Sequence, residues 1–414
     1  MKKNEELNKW LWKWHFIAGL ISLPFILIIS ITGVIYLFEG DYEGPRQKSI
    51  REVVVNGPPI SFEQQWNIAK ENAVEKPNAM IIPESETKAT EFISGKLGHI
   101  TSTFIDPYKK TVSGNVIPKH SLMYKARKLH GELLLGKFGT KIVELVASWM
   151  VVLIFTGLFI WWPGRGWQLK GFFIPRIRAG RRTFFRDMHA ITGFWISILL
   201  LMVLAGGFPW TDVFGDNFKW FQKVTNTGYP ATWNAKNLES DEAQNPIALD
   251  NMITIAKALE LSGEVSIDFP KGKKGVYSVS NATPDLSAQK KYHFDQYTGK
   301  QLLKHNWRDV GVLMRGRMWV MAFHQGQFGR WNWILMLLTG IALATMSISA
   351  LVSYLKRKQK GNWGVPLVPE QFKAGYGIVI ILGILSIVFP LFGISLLCIL
   401  LFDFIKKKRV TGSN

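Results

Sequence analysis

Four histidines stand at repeating positions. His15-Phe-Ile-Ala-Gly19 opens one long apolar stretch and His189-Ala-Ile-Thr-Gly193 opens another. His130, followed by Gly136-Lys-Phe-Gly139, and His324, followed by Gly326-Gln-Phe-Gly329, stand before two more. The first two mark one end of their stretches and the last two mark the opposite end. About twenty residues of helix separate the levels by ~30 Å, so one metal ion cannot bind all four. Each level supplies two neutral imidazoles. Zinc wants three or four ligands. A low-spin b-type haem takes two imidazoles, one on each axial face. Covalent c-type haem needs C-x-x-C-H, and the chain has a single cysteine, Cys398. The spacing therefore points to two noncovalent bis-histidine haems b. His15 and His189 would be the axial ligands of an inner one, His130 and His324 of an outer one.

Glycines accompany the ligands. Gly19 and Gly193 lie one turn beyond their histidines, and Gly33 and Gly207 lie five turns beyond. All four share the histidine face, where a flat macrocycle would lean on bare backbone. Close helix packing is the other reading of the same glycines. Arg186 precedes His189, Arg127 precedes His130, and Arg315 and Arg317 precede His324. Haem propionates would need such partners. Lipid headgroups explain the inner one equally well.

The elements that must position these groups are membrane spans. Hydrophobic residues make up 48% and charged residues 19% of 414, and the apolar residues run too long for a soluble core. Trp14–Phe38, Ile142–Trp162, Ile191–Trp210 and Trp333–Leu355 each exceed or match the ~20 residues needed to cross a bilayer. The first is too long for a signal h-region and reads as an uncleaved anchor. A fifth stretch, Ala374–Phe402, holds Pro390 near its middle and reads as a shallow hairpin. The net charge of +20 is concentrated in short loops. Arg165 through Arg186 after span two, and Lys356 through Lys373 after span four, put those loops and both termini in the cytoplasm. This accounts for the charge without nucleic acid.

The expected fold is an integral membrane α-helical protein. It has four transmembrane helices, a C-terminal hydrophobic hairpin, two small α+β periplasmic domains and an internal duplication. The expected order is TM1 with a cytoplasmic N-terminus (1–39), periplasmic domain 1 (40–128), TM2 (129–163) and a basic cytoplasmic loop (164–188). TM3 (189–211), periplasmic domain 2 (212–322), TM4 (323–356), a cytoplasmic loop (357–373), the hairpin (374–405) and a cytoplasmic tail (406–414) follow. Each outer segment has a helix candidate, near Phe62–Val74 and Pro246–Leu261. Each also has a strand running into a turn, at Asp106-Pro-Tyr-Lys-Lys and Asp295-Gln-Tyr-Thr-Gly-Lys. Both copies begin and end inside, so the implied pseudo-twofold lies along the membrane normal.

The four span-associated histidines, Trp161-Trp162-Pro163, the two Asp-x-Tyr turns and Phe389-Pro390-Leu-Phe-Gly393-Ile-Ser-Leu together resemble the PepSY-associated transmembrane family. The resemblance covers nearly the whole chain and makes the two outer domains PepSY-like. It departs at Ser347–Ser349, where span two has Phe155-Thr-Gly157. The resemblance implies a di-haem ferric-siderophore reductase of the bacterial inner membrane. Electrons would come from a cytoplasmic-side reductase or a quinol, and the periplasmic ferric siderophore would be reduced to Fe(II). No dinucleotide fingerprint is present. Two other functions compete: a membrane-anchored PepSY regulator that binds peptides or proteases, and a siderophore or metal transporter. The regulator leaves the histidines unused, and the transporter wants polar groups at mid-span.

Overall fold

The computed structural model describes residues 2–411, apart from 96–99, 163–168, 242, 244, 359–360, 366–367, 369–371 and 373. The first half runs α1 (Lys2–Tyr36), α2 (Glu39–Arg51), α3 (Phe62–Asn72), β1 (Pro77–Ile81), β2 (Thr90–Ser94), β3 (Thr101–Asp106), β4 (Thr111–Val116), α4 (Leu122–Glu132) and α5 (Gly136–Trp161). The second runs α6 (Arg181–Gly207), α7 (Val213–Val224), α8 (Leu249–Ala258), β5 (Glu264–Asp268), β6 (Val276–Ala282), β7 (Lys290–Asp295), β8 (Gln301–Asn306), α9 (Val312–His324) and α10 (Arg330–Arg357). Two apolar helices, α11 (Tyr376–Val388) and α12 (Pro390–Thr411), close the chain.

Four helical segments are long and apolar enough to cross a membrane: Glu5–Tyr36, Gly136–Trp161, Arg181–Trp210 and Arg330–Arg357. Ile26, Val146, Met150, Leu200 and Leu343 meet at the heart of this bundle. In the fifth apolar stretch the helix breaks at Pro390, because proline has no N–H to continue the ladder but fits the first turn of the next helix. Phe389 and Phe392 beside the break pack against Phe208, 4.6 Å away, and Trp149, 4.9 Å away. Glu144, the lone charge of the apolar stretch Ile142–Trp162, is fully buried. Its carboxylate accepts from the Val213 and Phe214 N–H groups at 2.9 and 3.0 Å, so it caps α7 where the helix dipole favours negative charge.

The strands differ from expectation in one respect. They do not form two separate domains. Both sets join into one antiparallel sheet of order β4-β3-β2-β1-β5-β6-β7-β8, sealed by Ala79↔Asp268, Met80↔Ile267 and Ile81↔Ser266. An unpaired edge strand is a liability, and here each half covers the other's edge. α3 and α8 pack on one face over a shared core that includes Met80, Phe92, Ile105, Ile267 and Val279. Their N-termini are tied reciprocally. Asp250 accepts from the Phe62 and Glu63 N–H groups at 2.8 and 3.0 Å, and Glu63 accepts from Leu249 N–H at 3.2 Å. The Asp106 and Asp295 carboxylates each accept two turn N–H groups, from Tyr108 and Lys109 and from Tyr297 and Thr298. That is why both strands end in the same Asp-x-Tyr turn. On the opposite face, Ile50 of α2 packs with Val53, Ala89 and Phe104, so the helix leaving α1 lies against the sheet.

The seam at β1–β5 lies at the middle of the sheet core. Ile267 there is fully buried. Ile267→Ala should cost about 2–5 kcal/mol and lower the temperature at which the sheet signal is lost in circular dichroism. The helical signal of the bundle should survive to higher temperature.

Candidate site: two histidine pairs in the helix bundle

The helices bring the four histidines together two by two. The His15 and His189 ring centres are 6.3 Å apart, with planes at 72°. The His130 and His324 ring centres are 6.0 Å apart, with planes at 74°. His15 and His189 lie near the starts of α1 and α6. His130 and His324 do not sit on the spans themselves. They end the short helices α4 and α9, which run beside the far ends of α1 and α6 before the chain reverses into α5 and α10. Leu133 and Leu134, both with positive φ, make that reversal after His130. Gly326 and Gly329 make it after His324. Glycine accepts this backbone at no steric cost, while the two leucines do not, which marks the His130 turn as the more strained.

Each ring is held by one nitrogen. His130 Nδ1 lies 2.9 Å from the Ile29 carbonyl, His324 Nδ1 2.7 Å from Val203, and His189 Nδ1 3.0 Å from Met346. A carbonyl only accepts, so each Nδ1 donates. His15 Nδ1 lies 2.9 Å from Thr156 Oγ1. That hydroxyl already gives its proton to the Val152 carbonyl at 2.7 Å, so here too the imidazole donates. In all four rings the Nε2 lone pair is left for a ligand, the arrangement that fixes a metal-binding tautomer. Two metal–nitrogen bonds of about 2 Å, plus roughly 1.1 Å from each nitrogen to its ring centre, separate trans imidazoles by about 6.2 Å. Both pairs match that span. The residues present therefore fit a metal centre between two imidazoles at each level, and at the His15–His189 pair there is also room for a tetrapyrrole around it.

A cavity of about 340 Å³ opens at the His15–His189 pair, lined also by Gly19, Gly157, Gly193 and Arg357. A methyl group on Gly19 would make only an ordinary contact, 3.8 Å from Leu153 Cδ2, and one on Gly193 would press on Met346 Sδ at 3.1 Å, so neither faces a histidine ring. Other glycines do serve the rings. A methyl group on Gly33 would lie 3.0 Å from His130 Cε1, and one on Gly157 3.1 Å from His15 Cε1. At the matching place beside His324, Gly206 makes the close approach, with 2.7 Å to Cβ, and Gly207 only an ordinary contact at 3.9 Å. Sequence spacing picked the neighbour of the tight glycine, because eighteen residues is a whole number of turns only for an ideal helix. Gly157, Gly206, Thr156 and the three carbonyls carried no sequence signal, since a backbone acceptor has no letter of its own.

The basic residues sort by partner. Arg186 lies at the cavity, but it donates to Asp187 at 2.8 Å, as does Arg176 in a bidentate pair at 2.8 and 2.9 Å. Arg182 and Arg357 line the same cavity. Arg357 lies over Trp12 and Phe16, at 5.1 and 4.7 Å. At the other level Arg127 is exposed and lies over Tyr124, and Arg315 reaches the Arg308 carbonyl. Arg317 is buried over Trp210. Lys170 and Arg178 of the basic segment are described, whereas Arg165 and Pro163 lie outside the described residues.

The family described as the PepSY-associated TM region matches residues 12–357, which is most of the chain and spans both histidine pairs. No curated protein matches it.

The other described histidines stand apart from the pairs. His99 lies outside the described residues and His120 is exposed. His293 and His305 face each other on β7 and β8, 5.8 Å between ring centres, with His293 Nδ1 at 2.8 Å from Ser278 Oγ and His305 Nε2 at 3.0 Å from Thr232 Oγ1. Burial, then Lys291 and His305, push His293 down from 6.5 to about 4. The unfolded chain thus takes up a proton at a higher pH than the folded one. The stability this group gives is complete above pH ~6.5 and is lost as pH falls through about 4. His293→Phe, which copies the matched residue Phe104, should flatten the fall in unfolding temperature of the sheet between pH 6.5 and 4. An unchanged pH dependence in that variant would assign the fall to other groups.

Proposed function

The chain belongs to the PepSY-associated TM family, and from that premise we propose that it is a di-haem membrane oxidoreductase. It would carry electrons across the bilayer to reduce ferric iron held in a siderophore. The observation that carries this reading is the pair of imidazole pairs, each about 6 Å between ring centres, with every Nδ1 occupied and every Nε2 free. When bound, two b-type haems would supply one-electron chemistry that no side chain here provides.

The chain's own residues do the rest. His15 with His189, and His130 with His324, would hold and orient the two groups. Thr156 and the carbonyls of Met346, Ile29 and Val203 fix the four tautomers. Ile26, Val146, Met150, Leu200 and Leu343 keep water from the space between the levels. The buried hydroxyls of Ser148, Ser197 and Ser347 near mid-span are spent on carbonyls of their own helices, which speaks against a transporter that needs polar groups free there. A regulator built on the sheet alone would give four oriented imidazoles no task. In the same reading the two halves are an internal duplication, since α1 and α6, α4 and α9, α5 and α10, and the two strand sets take matching places. α11 and α12 form a shallow hairpin beside α5. The basic loops and both termini face the cytoplasm of a bacterial inner membrane. The sheet lies on the periplasmic side, where the His130–His324 pair meets the ferric siderophore. The electron donor is a reductase or quinol at the opposite side.

Reduction releases the iron because Fe(II) is held more weakly than Fe(III) by hard oxygen ligands. Purified protein should carry two haems per chain by pyridine haemochrome, and dithionite should sharpen and shift the Soret band. His15→Ala should leave one haem, and it should be the one that His130→Ala removes. Prereduced His15→Ala protein should still be oxidised by ferric siderophore in stopped flow, but fail in sustained turnover. A stoichiometry near one in the native protein would refute the pairing.

Gly33 offers a subtler check. Its absent side chain is the room His130 occupies. Gly33→Val should lower occupancy at the His130–His324 level severalfold and leave the other level full. Equal loss at both levels would mean that the substitution merely unfolds the bundle.

A further inference from the structure

Arg317 is the one residue among the outer basic group whose surroundings are incomplete. It is 8% exposed, and its Nε has no hydrogen-bond partner. Its guanidinium lies 4.2 Å from the Trp210 ring centre. Tyr229 is also near, its hydroxyl donating to Met318 Sδ at 3.0 Å. Among the described residues no carboxylate pairs with it. A buried cation without a counter-ion costs several kcal/mol, and an aromatic face offsets only about 2 of them. Three neighbouring basic residues are accounted for: Lys128 pairs with Glu132, Arg127 is exposed over Tyr124, and Arg315 meets a carbonyl.

Position sets Arg317 apart as well. Arg317 and His324 are seven residues apart on α9, so they share a face with Arg317 about 10 Å nearer the sheet. The matched residue seven before His130 is Met123, also buried but apolar. At this level the two halves hold their histidines alike, each Nδ1 on a carbonyl of a long helix. The arginine is therefore not needed to build the fold at this place, since the first half closes it with a thioether.

We propose that Arg317 anchors a carboxylate-binding site on the sheet side of the His130–His324 pair, with Trp210 and Tyr229 as its walls. A guanidinium fork matches a carboxylate with two parallel hydrogen bonds, and a desolvated one does so strongly. The carboxylate has two sources, the edge of a haem bound between those histidines or an incoming ferric chelate. The first source rests on the function proposed above; the second does not.

The test uses the full chain in detergent micelles, as native protein, Arg317→Met, Arg317→Lys and the neighbouring control Arg315→Met. Spectroelectrochemistry without chelate reads the haem edge. Arg317→Met should lower one of the two midpoint potentials, because a positive charge that favours the reduced state is gone. A tenfold change in the one-electron equilibrium is 59 mV. Calorimetric titration with ferric citrate, and with inorganic phosphate as the non-carboxylate anion, reads the chelate. Loss of ferric-citrate affinity by roughly tenfold or more in Arg317→Met, with potentials unchanged, assigns the site to substrate. Arg317→Lys keeps the charge without the fork and should show a smaller change of the same sign in whichever measurement responds; read against native protein alone, it decides the site if the Met variant does not fold. Native protein that carries no haem would refute the proposed function, and the ferric-citrate titration would still decide the site. Arg317 variants indistinguishable from native in both measurements, changes equal to those of Arg315→Met, or phosphate binding as well as citrate would overturn the proposal.

Discussion

An imidazole buried in an apolar bundle must find a hydrogen-bond partner or lose several kcal/mol. Four such rings set the terms for the helices around them. Three use main-chain carbonyls at places where another helix would normally keep them, and the fourth uses a threonine hydroxyl that is itself anchored to the turn below. To deliver a ring to a carbonyl on a neighbouring helix, the backbones must come close. Gly33, Gly157 and Gly206 are where they do. The hydrogen bonds, the glycines and the short helices α4 and α9 are thus one device. It leaves each ring with a single free nitrogen, pointing the chemistry to a ligand between two rings.

The sheet answers a different constraint. Four strands with a helix on one face would leave an edge open to aggregation. Joining β1 to β5 removes two edges and merges two small cores into one. The reciprocal caps of Asp250 and Glu63 fix α3 against α8 at the same seam. The consequence reaches the bundle. α2 ties the sheet to α1, the Glu144 cap ties α7 to α5, and α9 runs from the last strand straight to His324. The level of the second histidine pair is therefore coupled to the sheet above it, whereas the first pair is coupled to the Asp187–Arg176 tie and its neighbouring loop.

The two halves are built alike but not furnished alike. Phe104 in one sheet half is His293 in the other, and Met123 beside one histidine is Arg317 beside the other. The apolar member of each pair makes ordinary core. The polar member carries a cost that packing does not offset, and costs of this kind gather where a protein binds something.

What the sequence by itself determined was whatever depends on periodicity and composition. Four spans, a further apolar stretch broken at Pro390, two Asp-x-Tyr turns and the sorting of four histidines into two pairs all follow from runs of apolar residues and from fixed helical rise. The family followed too, because its marks are letters at spacings. Only the tertiary structure decided what depends on the meeting of distant segments. The β1–β5 seam joins strands nearly two hundred residues apart, and either edge would have served as well by pattern. Thr156 and three carbonyls became partners because of how α1, α5, α6 and α10 cross, and a carbonyl is the same in every residue. Arg186 and Arg317 look equivalent in sequence, each a few residues before a histidine. Folding buried Asp187, the chain neighbour of Arg186, and brought Arg176 to it as well, while it left Arg317 over Trp210 with no counter-ion among the described residues, since burial is a property of the assembled neighbourhood and not of the chain.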